Sequence, residues 1–152
     1  VNPPGDVQGY VKITSSGVRL AGNVVFGDPA RGKFASSLPL VFAPAGSFVF
    51  SHIASDELYF TGIAVLNTSA AATTTQIEVF DIDGNIIASK IETLSPAQRR
   101  SQLLTEYFPS LRGQKRLSGY TKITADRPLA GFALFGTHDL SVLSAIPPQV
   151  VP

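Results

Sequence analysis

The apolar positions of this chain recur mostly every second residue or in short unbroken runs, which is the pattern of strands. In residues 9–14, Tyr10, Lys12 and Thr14 fall on one side and Val11 and Ile13 on the other, as in a half-buried strand. Ser15-Ser16-Gly17 reads as a turn and 18–26 as a second strand, so the stretch opens as a hairpin. Residues 34–43 and 47–53 are apolar and split by Pro44-Ala45-Gly46, and 58–67 forms a nearly continuous buried strand. Residues 75–82 and 86–94 flank Asp83-Gly84, which predicts a type I′ hairpin. There Gln76, Glu78 and Asp81 should face water, and Ile77, Val79 and Ile82 the core.

Ser95-Pro96 suits a helix start, Leu103, Leu104, Tyr107 and Phe108 fall at helical spacing, and Pro109 limits the length. This predicts one short helix or 3₁₀ turn near 102–108, a lid over an open end of the sheets. Arg112 to Arg116 is a basic loop, and further strands are expected at 118–136 and near 141–146.

One stretch is written twice. Gly9-Tyr10-Val11-Lys12-Ile13-Thr14 returns as Gly119-Tyr120-Thr121-Lys122-Ile123-Thr124. Leu20-Ala21-Gly22-Asn23-Val24-Val25-Phe26-Gly27 returns as Leu129-Ala130-Gly131-Phe132-Ala133-Leu134-Phe135-Gly136, and Leu38-Pro39 as Ile146-Pro147. A match that slips by only a residue or so marks a duplicated structural unit. Gly22 and Gly131 lie inside the strand pattern, where glycine signals a bulge or the close approach of another backbone. The pattern as a whole predicts an all-β fold, an antiparallel β-sandwich with an internally duplicated hairpin and one short helical lid.

The two copies could be pseudo-symmetric parts of one domain or belong to successive units of an array. The residues between them are too few and too irregular for a sandwich of their own, which favours one domain over 9–146, with repeats 9–39 and 119–147. Residues 1–8 then form an extended Pro/Gly arm or linker and 147–152 a Pro-rich exit arm.

Composition narrows the function classes. The 152 residues are 44% apolar and 15% charged with net charge +1, which gives no electrostatic case for nucleic acid or an anionic membrane. No apolar run reaches the roughly 18 residues of a membrane span, so membrane insertion is not expected. Without cysteine there are no disulfides, thiolate metal sites or thiol nucleophiles. The chain has no Met, so Val1 is expected to follow a processing event or a cut. Low charge, no cysteine and much Ser, Thr, Ala and Gly suit an exported bacterial protein.

Tyr59 to Pro109 resembles a repeat of large exported proteins of environmental bacteria. The resemblance is carried by Phe60-Thr61-Gly62-Ile63-Ala64-Val65-Leu66-Asn67, Val79-Phe80-Asp81-Ile82-Asp83-Gly84-Asn85 and Leu103-Leu104-Thr105-Glu106-Tyr107-Phe108-Pro109, with Gly119-Tyr120 to Phe135-Gly136 closing it. It implies an Ig-like or jelly-roll-like cell-surface module, often in tandem, and supplies no catalytic residues.

The chemistry-bearing candidates are few. Asp81, Asp83 and Asn85 have the spacing of the first calcium-loop ligands, with Glu92 eleven residues after Asp81. The glycine is misplaced, however, and Ile86 and Ile87 replace the polar middle, so a plain turn is preferred to a weak metal site. His52 and His138 read as ordinary loop or edge residues, and Asp56-Glu57 as a solvated turn. No nucleophile elbow, zinc-binding helix motif or phosphate loop is present. Tyr10, Lys12, Tyr120 and Lys122 could pair as a glycan-stacking surface, and Asn67-Thr68-Ser69 is a glycosylation sequon.

These readings lead to a non-enzymatic extracellular or cell-surface structural module without a cofactor. Its partners would be copies of itself or neighbouring repeats, within a fibre, sheath or adhesive stalk. Strand addition through arms carrying Val1, Pro3, Pro4, Val150 and Val151 would make the contacts. The alternative is a carbohydrate-binding accessory module of a secreted protein.

Overall fold

The structure, a computed structural model, describes residues 9–28, 32 and 34–151. Its strands are β1 (Asn23–Gly27), β2 (Ala35–Pro39), β3 (Ala45–Ala54), β4 (Tyr59–Asn67), β5 (Thr73–Asp81), β6 (Ile86–Leu94) and β7 (Arg99–Leu103). A helical turn α1 (Leu104–Tyr107) and a 3₁₀ turn (Pro109–Leu111) follow, then β8 (Ser118–Thr137), β9 (Leu143–Ile146) and β10 (Gln149–Val150). All pairings are antiparallel, and the fold is all-β and sandwich-like.

The long strand β8 belongs to both layers. Its first half lies between β3 and β5, with Thr121 opposite Phe50 on one side and Val79 on the other. Its second half lies between β4 and β9, with Ala133 opposite Ile63 and Ile146. One layer therefore runs β10-β3-β8-β5-β6 and the other β9-β8-β4-β7.

The strand turns the corner at Asp126-Arg127-Pro128, where three successive residues are exposed and Pro128 brings no N–H to a ladder. The corner is tied to the β4–β5 loop. Asp126 Oδ1 accepts from the Thr73 hydroxyl and from the Thr74 N–H at 3.0 Å, Arg127 Nε donates to the Ala72 carbonyl at 3.2 Å, and the Thr68 hydroxyl donates to the Pro128 carbonyl at 2.9 Å.

Between the layers, Phe48, Phe50, Ile63, Val79, Ile123 and Leu129 are buried as the alternation predicts. One end is closed by α1 and the 3₁₀ turn, which drive Leu104, Tyr107, Phe108 and Leu111 into the core. This is the expected lid, but its start differs. Ser95 to Gln98 is a tight turn with Ala97 at φ 58°, and Arg99–Leu103 form β7 against β4. The helical turn begins only at Leu104, where the Glu106 carboxylate accepts the Leu103 N–H at 2.9 Å. A free ladder position beside β4 outweighed the local capping signal.

The duplication takes a different form from the expected one. Residues 9–22 form no strand, and 118–137 form one bent strand instead of a hairpin. The hairpin that does repeat lies later in each copy. β1 pairs with β2 with Val24 opposite Leu38, just as β8 pairs with β9 with Ala133 opposite Ile146. The turns match as well: a Cβ on Gly27 would stand 2.6 Å from the Phe34 carbonyl oxygen, and one on Gly136 the same distance from that of Val142.

Candidate assembly surface

The first copy lies outside the sandwich. β1 and β2 make a two-stranded sheet of their own, and among the described residues no strand lies beside the β1 edge away from β2. The hairpin touches the main body through β2, where the Ser36 hydroxyl accepts the Ala145 N–H of β9 at 3.1 Å. Tyr10, Val11, Ile13, Val18, Leu20, Val24 and Val25 are all exposed. Isolated exposed apolar residues are ordinary, but a run of seven over sixteen positions is an uncovered apolar row. It has the composition of a core strand and the position of a surface segment.

Of the expected arms, Val1, Pro3 and Pro4 lie outside the described residues. At the other end, β10 adds to the edge of β3 in the same chain, with Val150 opposite Phe48 and the Val151 N–H donating to the Ser47 carbonyl at 3.2 Å. The exit segment is thus docked on its own sheet, although the Val150 side chain stays exposed.

The Tyr/Lys residues do not form a pair of matching platforms. Tyr120 stacks on Phe80 across the β5–β8 ladder, with ring centres 4.6 Å apart and planes 3° apart. Lys122 sits opposite Val49 and Glu78. Tyr10 and Lys12 are exposed in the unpaired segment, and among the described residues no ring contact joins Tyr10 to Tyr120.

The Asp81–Asn85 segment is a self-satisfied turn. Asp81 Oδ1 accepts the N–H groups of Asp83 at 2.9 Å and Asn85 at 2.8 Å, while Oδ2 accepts from Asn85 Nδ2 at 3.0 Å. These bonds, led by the one from the Asn85 side chain, hold the Asp81 carboxyl below its ordinary range. Only Gly84 takes positive φ, at 84°, so the loop is not type I′, and Ile82 points to solvent instead of the core. The Asp81 side chain spans the longer loop and fixes it. Glu92 lies up on β6 opposite Thr75, away from the turn, and no cluster of three metal-ligating side chains occurs among the described residues.

The sequon residue Asn67 lies inside the fold. It is fully buried, and its Nδ2 donates to the carbonyls of Ala71 at 2.7 Å and of Leu94 and Ser95 at 3.1 Å. Its Oδ1 accepts from the Ser69 N–H and hydroxyl. The sequon is a polar clamp beneath the β4–β5 loop, and its amide is out of reach in the folded chain. The histidines are structural in placement. His52 stands edge-on to Phe135 at 4.9 Å, and His138 Nε2 lies 3.1 Å from the Asp56 carbonyl oxygen. The Asp56 carboxyl caps its own turn by accepting the N–H groups of Leu58 and Tyr59.

Sequence reasoning weighed Glu92 only against the Asp81 turn and missed its ion pairs. The Glu92 side chain is largely buried and lies 3.6 Å from Arg100 Nε and 4.0 Å from Lys90 Nζ, while Lys90 sits over the Tyr107 ring at 5.4 Å. Burial, and secondarily Glu92, pushes the Tyr107 phenol above its ordinary range. The set links β6, β7 and the lid. The Lys90/Glu92 spacing on one strand face was its sole sequence signal.

No family model, curated protein or solved structure matches this chain. No helix among the described residues is long and apolar enough to cross a membrane.

Proposed function

We propose that this chain is a non-enzymatic structural module of an exported bacterial surface assembly, a fibre, sheath or adhesive stalk. It joins its neighbours through residues 9–27. The uncovered apolar row on that segment carries the proposal: it has strand alternation, core composition and an open β1 edge, which together make a site for strand addition. Low charge and an all-β body are in keeping with it, as is the resemblance to cell-surface repeat modules. The short ladder of β10 on β3 supports it further, because a terminal segment of this chain already adds to a sheet edge.

Light scattering over a concentration series, with negative-stain electron microscopy of the same samples, tests the reading. The expected result is growth with concentration into regular assemblies, abolished by Val11→Asp/Ile13→Asp. A clean monomer at every concentration would overturn self-assembly of this chain.

A further inference from the structure

The two copies of the repeat differ in what covers them. Val11 is 82% exposed and its counterpart Thr121 is 0%; Ile13 is 57% exposed and Ile123 is 0%. Leu20 is 38% exposed against 1% for Leu129, and Val24 is 51% against 0% for Ala133. Each of these buried positions of β8 thus has an exposed apolar residue at its match.

The glycines behave the same way. A Cβ on Gly119 would fall 1.9 Å from the Phe80 carbonyl oxygen of β5, and one on Gly131 3.0 Å from that of Ala64 on β4. On Gly9 it would meet nothing within 4 Å, and on Gly22 only the Leu40 side chain. Glycine stands in the first copy where the second needs room for a neighbouring strand, yet no such strand is there. The β1–β2 hairpin, meanwhile, keeps the register of β8–β9.

We infer that residues 9–39 are the β8–β9 element of a second unit of this fold, and that their partner is the β3–β7 part of that unit. Residues 9–14 would enter between its β3 and β5, and 20–27 beside its β4. The two copies then belong to successive sandwiches, not to one pseudo-symmetric domain. The chain's own slot is filled by its own β8, so the partner is a unit whose slot is open. This inference rests on residues 9–27 being an assembly element and names what they assemble with.

The test joins residues 40–118 directly ahead of Gly9 in the complete 9–152 sequence, and compares this tandem with the chain alone under trypsin. The Lys12–Ile13 bond is followed by mass spectrometry, with Lys122–Ile123 as the internal standard. In the dilute single chain Lys12 is cut at once. In the tandem its cleavage should slow by about a hundredfold or more, because a central strand is cut only on opening. Ile13→Asp in the tandem should restore rapid cleavage at Lys12 and leave Lys122 protected, which shows the second unit still folded. Rapid cleavage of the unsubstituted tandem at Lys12, with Lys122 protected, overturns the inference. If the single chain nevertheless assembles in light scattering, the structural-module proposal survives that failure. A protected tandem beside a monomeric single chain supports the inference and overturns self-assembly of the single chain.

Discussion

Residues 9–27 and 119–136 share an amino-acid pattern and have opposite fates. The second copy is the central strand of the molecule, shared by both layers, with a ladder on each side of residues 121–124 and again of 133–136. The first is exposed, and only its last residues form a ladder. Gly-Tyr-x-Lys-Ile-Thr is therefore not a strand by itself. It becomes one when β3 and β5 offer ladders on either side and the core offers a place for Ile123. Strand preference is a fit to neighbours more than a local backbone property.

The largest effect should come from the paired isoleucines. Ile123→Ala should lose about 2–5 kcal/mol in denaturant unfolding, as for a fully buried branched side chain. Ile13→Ala in the dilute single chain should stay within about 0.5 kcal/mol of the parent. Equal losses at the two sites would show that the first copy is packed after all.

The glycines should give the next effect. Gly119 has φ 155° and its Cβ would collide with the Phe80 carbonyl, so Gly119→Ala should cost about 2–3 kcal/mol through backbone displacement and strain. Gly9→Ala meets open space and should leave the melting temperature unchanged.

Thr121 sharpens the contrast in the other direction. Its hydroxyl is fully buried without a partner, whereas the matching residue in the first copy is Val11. Thr121→Val should raise stability by about 1 kcal/mol in the same unfolding assay, because an unsatisfied buried hydroxyl is removed and its shape kept.

The smallest effect concerns the corner that lets β8 change layers. The Thr73 hydroxyl, followed by the Thr74 N–H, holds the Asp126 carboxyl below its ordinary value of 3.8. A depressed folded-state value means that this contribution is present above the unfolded value and disappears as pH falls through the folded one. Melting temperature should therefore drop on acidification below about pH 4, and the drop should be shallower in Asp126→Asn. The first copy has Ser15-Ser16-Gly17 near the matching position and no such carboxylate, so it contributes nothing to this slope.

Much of the fold was legible in the chain. Alternation found Ile77 and Val79 as core, though not Ile82, which is exposed, the run 58–67 as β4, and Leu104, Tyr107 and Phe108 as a lid. What escaped depended on partners distant in sequence. Ser95-Pro96 looks like a helix start until β4 is seen to need β7. Thr124 to Leu129 looks like a turn between strands until the clamp of Asp126 on Thr73 shows a bent strand. Asn67 has the motif of a surface acceptor, and only the Leu94 and Ser95 carbonyls, nearly thirty residues away in sequence, reveal it as buried. The repeat was visible from the start, but its meaning was not. Sequence gives the likeness of the two copies, while the contrast that identifies an assembly element lies in what covers each.

Amide hydrogen exchange on the dilute single chain tests that contrast most directly. The account predicts that the amides of Val11 to Thr14 exchange as freely as an unstructured peptide, while those of Thr121 to Thr124 are protected up to the global stability of the fold. Comparable protection of both segments in the dilute monomer would contradict it, because residues 9–14 would then already have their partner within the same chain.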